Sequence, residues 1–255
     1  MTEVIQAQDV SFFYEDKKHR RTDALRNVSL KVREKELLSV VGPSGCGKST
    51  LLKLLSGLLQ PSSGTIVKTA LADSTSAYIA QASSLLPWRT LLQNACLGLE
   101  LRGRLNETTV EQVMRAITEY GLRGFEHYMA EALSGGMQQR VAILRAVVSE
   151  PRLLFCDEPF SAIDFVTRLR LNGVFKRMCQ VYGITTVFVT HNIEEAIFLG
   201  DRIVVLSAHP GRVVAEYIPD LPAAVAHDAV RCRETSEFSA LFNQIWNDLQ
   251  VAHDS

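Results

Sequence analysis

The chain is predicted to be an α/β protein organised around a parallel sheet, and three observations predict it. The first is Gly42-Pro43-Ser44-Gly45-Cys46-Gly47-Lys48-Ser49-Thr50, which follows the apolar run 37–41 and precedes leucines at helical spacing. The second is the apolar run 153–156, which ends in Asp157-Glu158. The third is the alternation, from residue 152 onward, of short apolar runs with helical stretches, the rhythm of strand–helix–strand units.

At 255 residues and 47% hydrophobic, the chain is long enough for one large α/β domain or two small ones. Its 27 Lys+Arg against 28 Asp+Glu give a formal net charge of -1. Such a balance creates no overall field to draw in nucleic acid or anionic lipid. The five cysteines are widely spaced and form no C-x-x-C or Cys/His ligand pattern, so free thiols in a reducing compartment are expected. No basic-then-apolar leader is present at the N-terminus, and no apolar stretch approaches the roughly 18 residues that span a bilayer. A cytosolic protein is expected, reaching a membrane only through a partner.

Residues 3–10 read as strand and are followed by the aromatic cluster Phe12-Phe13-Tyr14, then by a charged hairpin loop over 15–23. Val28, Leu30 and Val32 alternate with polar residues, the period of a half-exposed strand. The run 37–41 is a strand, and Leu51, Leu52, Leu54, Leu55 and Leu58 mark a helix ending near Gly57. Residues 60–64 are a turn, 65–67 a short return, and 76–80 a buried strand ending at Gln81. From 83 to 149 the texture is helical, with Thr108 and Glu111 as a capping box ahead of Val110, Val113, Met114 and Ile117 on one face. Strands are expected at 152–156, 184–189 and 203–206, helices at 165–182 and 193–199, a hairpin turn at 209–212 and a closing helix from 237.

The segment 42–50 has the form G-x-x-x-x-G-K-[ST] and reads as a phosphate-binding loop. Its glycines let successive N–H groups face one concavity, Lys48 adds a positive charge, Ser49 offers a hydroxyl to Mg²⁺, and the following helix presents its positive end. Asp157, at a strand end, is placed to hold Mg²⁺ directly or through water, and Glu158 can take a proton from an attacking water. Leu133-Ser134-Gly135-Gly136-Met137-Gln138 opens a further helix and forms a second anion site. One nucleotide in one fold does not need two such sites. Cys46, close to a helix N-terminus, is expected to tend toward thiolate.

LSGGMQQR, GPSGCGKST and LLFCDEP together resemble the ATP-binding subunit of an ABC transporter, and the resemblance extends over nearly the whole chain. It implies a P-loop NTPase with a RecA-like core at about 1–82 and 150–255, an antiparallel β subdomain, and an inserted α-helical signature subdomain at about 83–149, all within one domain spanning 1–255. It implies that Gln81 senses Mg²⁺ and the lytic water, that Asp164 belongs to the D-loop, and that His191 meets the γ-phosphate. Tyr14 matches the residue whose ring stacks on adenine, with Phe12 or Phe13 as alternatives. The implied cofactors are ATP and Mg²⁺. The implied partners are two permease subunits, a second copy or paralogue that receives Leu133, Ser134, Gly135, Gly136 and Gln138 on its ATP, and indirectly an extracytoplasmic binding protein; the implied place is the cytoplasmic face of the inner membrane.

The segments LLPWRTLLQNACLGLELRG, DEPFSAIDFVTR and HPGR are similar to importers of nitrate, sulfonates or taurine. A soluble ABC ATPase of DNA repair or translation, and a cassette for another substrate or direction, stand as alternatives. Trp88 reads equally as core or as lining for a groove that receives a permease helix. Glu194-Glu195 suit a helix start, and His19, His127, His209, His227 and His253 are expected at the surface without ligand spacing. Two departures from the family pattern concern the frame: Glu34-Lys35-Glu36 lacks the usual glycine, and the segment 65–81 is short, which implies a trimmed antiparallel edge. Ile163 replaces the usual D-loop leucine at conserved volume.

Overall fold

A computed structural model describes residues 2–69 and 75–252. Two sheets carry the fold. The smaller is antiparallel, in the order β2 (Arg21–Arg33), β1 (Glu3–Glu15), β4 (Ser63–Lys68). The larger has six strands in the order β5 (Ser76–Ile79), β6 (Leu153–Asp157), β7 (Thr185–Thr190), β3 (Leu37–Val41), β8 (Arg202–Leu206), β9 (Val213–Tyr217). All of its pairings are parallel except that of β8 with β9, which is the hairpin expected around 209–212.

The strand period sorts the core into two layers. Leu38 and Val40 face one side, where the leucines of α1 (Lys48–Ser56) and the inner residues Val10, Val28 and Leu30 of the antiparallel sheet meet them. Leu37 and Val41 face the other, against α5 (Phe165–Tyr182), α6 (Ile193–Leu199) and α8 (Ser236–Val251). Between β5 and β6 the chain makes α2 (Leu91–Leu101), α3 (Glu107–Glu119) and α4 (Gly135–Val148). A short α7 (Ala229–Cys232) precedes α8.

Most expected elements lie where the pattern puts them. The helix over 165–182 is α5, stopped by Gly183 at φ 61°. The hairpin loop is tighter than 15–23, because β1 and β2 pair as far as Glu15 with Arg21. Leu58 falls after the α1 C-cap and is exposed. The cap of α3 is Asn106, not Thr108: Asn106 accepts from the Thr109 N–H at 3.0 Å and Thr109 Oγ1 accepts from the Asn106 N–H at 2.9 Å. On that helix Val113 and Ile117 are buried while Met114 is exposed. Residues 70–74, within the segment 65–81 expected to be short, and His253 lie outside the described residues.

Candidate functional site

The carboxyl ends of the parallel strands form one rim, and four of them deliver the expected chemistry to it. β3 runs into the phosphate loop, β5 toward Gln81, β6 into Asp157-Glu158, and β7 toward His191. Gly47, at φ 102°, is the N-cap of α1, and no side chain caps that helix. Its first N–H groups therefore lack a side-chain acceptor, the arrangement that suits a phosphate. The loop is folded against its surroundings at Gly47, where a Cβ would lie 2.6 Å from the Ala24 carbonyl oxygen. Gly45, at φ 79°, meets nothing within 4 Å and leaves the mouth open.

Lys48 is buried beneath the loop, where Nζ donates to the carbonyl oxygens of Gly42 (2.9 Å) and Pro43 (2.8 Å). Glu158 Oε1 lies 3.9 Å from Nζ, and its Oε2 lies 2.9 Å from His191 Nδ1. Glu158 itself adopts φ 47°, held by its N–H donating to Val189 O at 3.0 Å. Ser49 Oγ donates to Asp157 Oδ1 at 2.7 Å, and Tyr78 Oη donates to Oδ2 at 3.3 Å. Burial, reinforced by the adjacent Asp157 carboxylate, pushes the Tyr78 phenol up from its ordinary value, so it remains a donor. The Ser49–Asp157 set offers hard oxygens suited to Mg²⁺. Among the described residues no group of three or more His, Cys, Asp or Glu is placed to hold a metal ion. A metal here would complete its shell with phosphate and water oxygens.

A cavity of about 390 Å³ joins these parts, with Ser44, Gly45, Lys48, Ser49, Gln81 and Glu158 in its wall. Tyr14 also lines it; its ring is half exposed and its hydroxyl is 3.1 Å from Thr50 Oγ1. Of the alternative rings, Phe12 packs edge-on against Tyr14 and Phe13 lies under the Arg21 guanidinium. Ala24 and His209 belong to the same wall. Ala24 and Tyr78 stand in no motif, and His209, in the HPGR turn, is expected only at the surface because the turn's place at this wall depends on distant strands.

Other expected site residues stand outside this wall. Ser134 caps α4, with Oγ accepting from the Met137 N–H at 3.3 Å, and with Gly135 it is exposed. Leu133 is buried in the core, and Gln138 turns inward, donating to Ala130 O (2.9 Å) and Leu133 O (3.2 Å) and accepting from Ser83 Oγ (3.1 Å). Asp164 caps α5 through the Thr167 N–H at 3.0 Å, which holds its carboxyl below the usual range. Cys46 corrects an expectation. It is buried, with Sγ packed against Gly42, where a Cβ would stand only 2.7 Å away. Burial pushes the thiol up and outweighs the Lys48 charge that would lower it, so a thiolate does not form at neutral pH. Trp88 is 70% exposed and is not core. Glu195 is buried on Thr190 Oγ1 at 2.7 Å, beyond the plain helix-start role expected of it.

The family model for the ABC transporter matches residues 25–161. An uncharacterized ABC transporter ATP-binding protein of Methanocaldococcus jannaschii is 44% identical over 76% of this chain and 74% of its own. The taurine import ATP-binding protein of Yersinia pestis is 40% identical over 75% of this chain and 76% of its own. The nitrate import ATP-binding protein of Synechococcus elongatus is 39% identical over 89% of this chain but 35% of its own length. Among solved structures, an ATP-binding cassette dimer in a post-hydrolysis state with ADP and Pi superposes at TM-score 0.72 with 29% identity, covering 84% of this chain and 98% of that one. No helix of the described residues is long and apolar enough to cross a membrane. The loop, the carboxylate strand end and the Ser-Gly-Gly helix start thus sit in a fold and a sequence shared with these proteins, and the chain belongs to the ABC transporter family of ATP-binding subunits, which hydrolyse ATP.

Proposed function

We propose that this chain is the ATP-hydrolysing subunit of a membrane importer for a small anion such as nitrate, a sulfonate or taurine. The observation that carries the catalytic half is Glu158, whose carboxylate faces the phosphate-loop cavity between His191 Nδ1 at 2.9 Å and Lys48 Nζ at 3.9 Å. In this reading Glu158 takes the proton of the attacking water, His191 orients Glu158 and meets the γ-phosphate, and Gln81 positions that water. Lys48, Ser44, Gly45, Ser49 and Thr50, with the loop backbone of Gly42, Pro43, Cys46 and Gly47, hold the phosphates. Ser49, Asp157 and Gln81 would hold Mg²⁺, which supplies charge neutralisation across the phosphate oxygens. The experiment is Glu158→Gln: MgATP affinity by titration stays within about twofold while phosphate release falls by about 10²-fold or more. Near-normal turnover removes Glu158 from the role.

The transport half rests on the relatives and on one surface. Leu91 N–H donates to Tyr128 O (2.8 Å) and Ala130 N–H to Arg89 O (3.2 Å), so the turn segments 88–90 and 128–130 lie side by side around an isolated bridge of Thr90 with Met129. Trp88, Tyr128 and Met129 are all exposed there. An aromatic and apolar group of this kind suits a helix of a membrane-embedded partner on the cytoplasmic side. Uptake of labelled taurine, alkanesulfonate or nitrate in cells deleted for this chain, and its restoration by the wild type but not by Trp88→Ala, tests both the substrate class and the coupling. Unimpaired uptake of all three in the deleted cells overturns the substrate class.

A further inference from the structure

Sheet order divides the rim of the cavity. β3, which ends in the phosphate loop, lies between β7 and β8. Gln81, Glu158 and His191 follow strands β5, β6 and β7, all on one side of that loop, whereas the turn joining β8 to β9 is on the other. The turn is fastened there by main chain. Gly211 N–H donates to Ala24 O at 3.0 Å, Arg26 N–H donates to Gly211 O at 3.0 Å, and a Cβ on Gly211 would lie 2.2 Å from the Cys46 carbonyl oxygen. A turn pressed this closely onto the phosphate loop cannot drift from it. It carries His209 into the wall of the same cavity as Tyr14, and the exposed imidazole has no hydrogen-bond partner among the described residues.

A nucleoside triphosphate in this cavity is oriented by its chemistry. The terminal phosphate belongs beside Glu158 and Gln81, so the nucleoside leaves the loop on the opposite side. We propose that His209 is a nucleoside contact, closing on the ribose and base of bound ATP from the β8–β9 turn while Tyr14 meets the base from β1. The inference deepens the nucleotide reading of the cavity and rests on it. An imidazole can donate to a ribose hydroxyl or lie against the base, and the phosphates do not enter the interaction.

The test separates the two ends of the ligand. Titration calorimetry of MgATP, ADP and inorganic tripolyphosphate is run on wild type, His209→Ala, His209→Gln and two controls, Tyr14→Ala and Lys48→Ala. His209→Ala is expected to weaken ATP and ADP by about three- to tenfold, the scale of one hydrogen bond, and to leave tripolyphosphate unchanged. Gln, which can still donate, retains most of the affinity, and Tyr14→Ala gives the same pattern as His209→Ala. Unchanged ATP affinity in His209→Ala, or an equal loss for tripolyphosphate, overturns the assignment. Lys48→Ala lowers binding of ATP and tripolyphosphate alike; if it does not, the cavity reading fails, independently of His209.

Discussion

Glu158 shows how a single residue's backbone aims chemistry. A non-glycine residue at φ 47° costs about 1–2 kcal/mol, and here the N–H bond to Val189 O holds the strained turn that brings the carboxylate to His191. Cys46 shows the opposite balance. Proximity to a helix N-terminus favours thiolate, but desolvation wins once Sγ is packed beneath the loop against Gly42. Native protein is therefore expected to resist a maleimide at Cys46 equally with and without nucleotide at pH 7, and to label fully in urea, as mapped by mass spectrometry. Rapid native labelling blocked by MgATP would mean that the loop opens to expose the thiol. The residue types of the site were legible because phosphate chemistry admits few of them. The burial of Cys46 was not, since it comes from the core packed around the loop, with Leu25 and Leu206 from distant strands in the same cluster.

At the scale of elements, the strand ends are tied by a buried charge. Arg202 on β8 donates from Nε to Glu36 Oε1 at 2.8 Å and from Nη2 to Oε2 at 3.2 Å, and from Nη1 to Glu216 Oε2 on β9 at 2.7 Å. Glu36 Oε2 also accepts the Arg33 N–H at 2.8 Å. Removing the carboxylate leaves a buried guanidinium half paired, so Glu36→Ala is expected to lose about 3–5 kcal/mol in urea unfolding, with an unchanged m-value. A loss below about 1 kcal/mol would place the pair among solvent-screened bridges. Nothing local announced this, because a Glu before an apolar strand reads as surface and its partner is 166 residues away. The same corner explains the missing glycine: Lys35 takes φ 61° itself, its N–H donating to Thr185 Oγ1 at 2.8 Å. Helix α5 was legible to its ends because Asp164 and Gly183 are strong start and stop signals, in that order. The α3 cap was misplaced because Thr108–Glu111 satisfies the common pattern, while Asn106–Thr109 makes the bonds.

At the scale of the molecule, the site is unevenly distributed. The phosphate loop, Gln81 and Glu158 share one cavity, whereas Ser134 and Gly135 are exposed on α4 and take no part in its wall. Gly135 has nothing within 4 Å of a Cβ position, and Ser134 Oγ takes the Met137 N–H, so the helix start is open to solvent at Gly135. The relative solved with ADP and Pi is a dimer. Two copies placed head to tail would give each phosphate loop the other's Ser134-Gly135 face, and the ATP between them would then be enclosed by both anion sites that the sequence displays. Glu158→Gln, expected to hold ATP without consuming it, should accordingly sediment as two chains in MgATP and as one without nucleotide. Adding Ser134→Arg, which fills the open face with a bulky cation, should restore the single chain while ATP still binds the loop at similar affinity. A dimer that persists in the double variant would place the interface elsewhere, and a monomer in both would leave the α4 helix start without its proposed ligand.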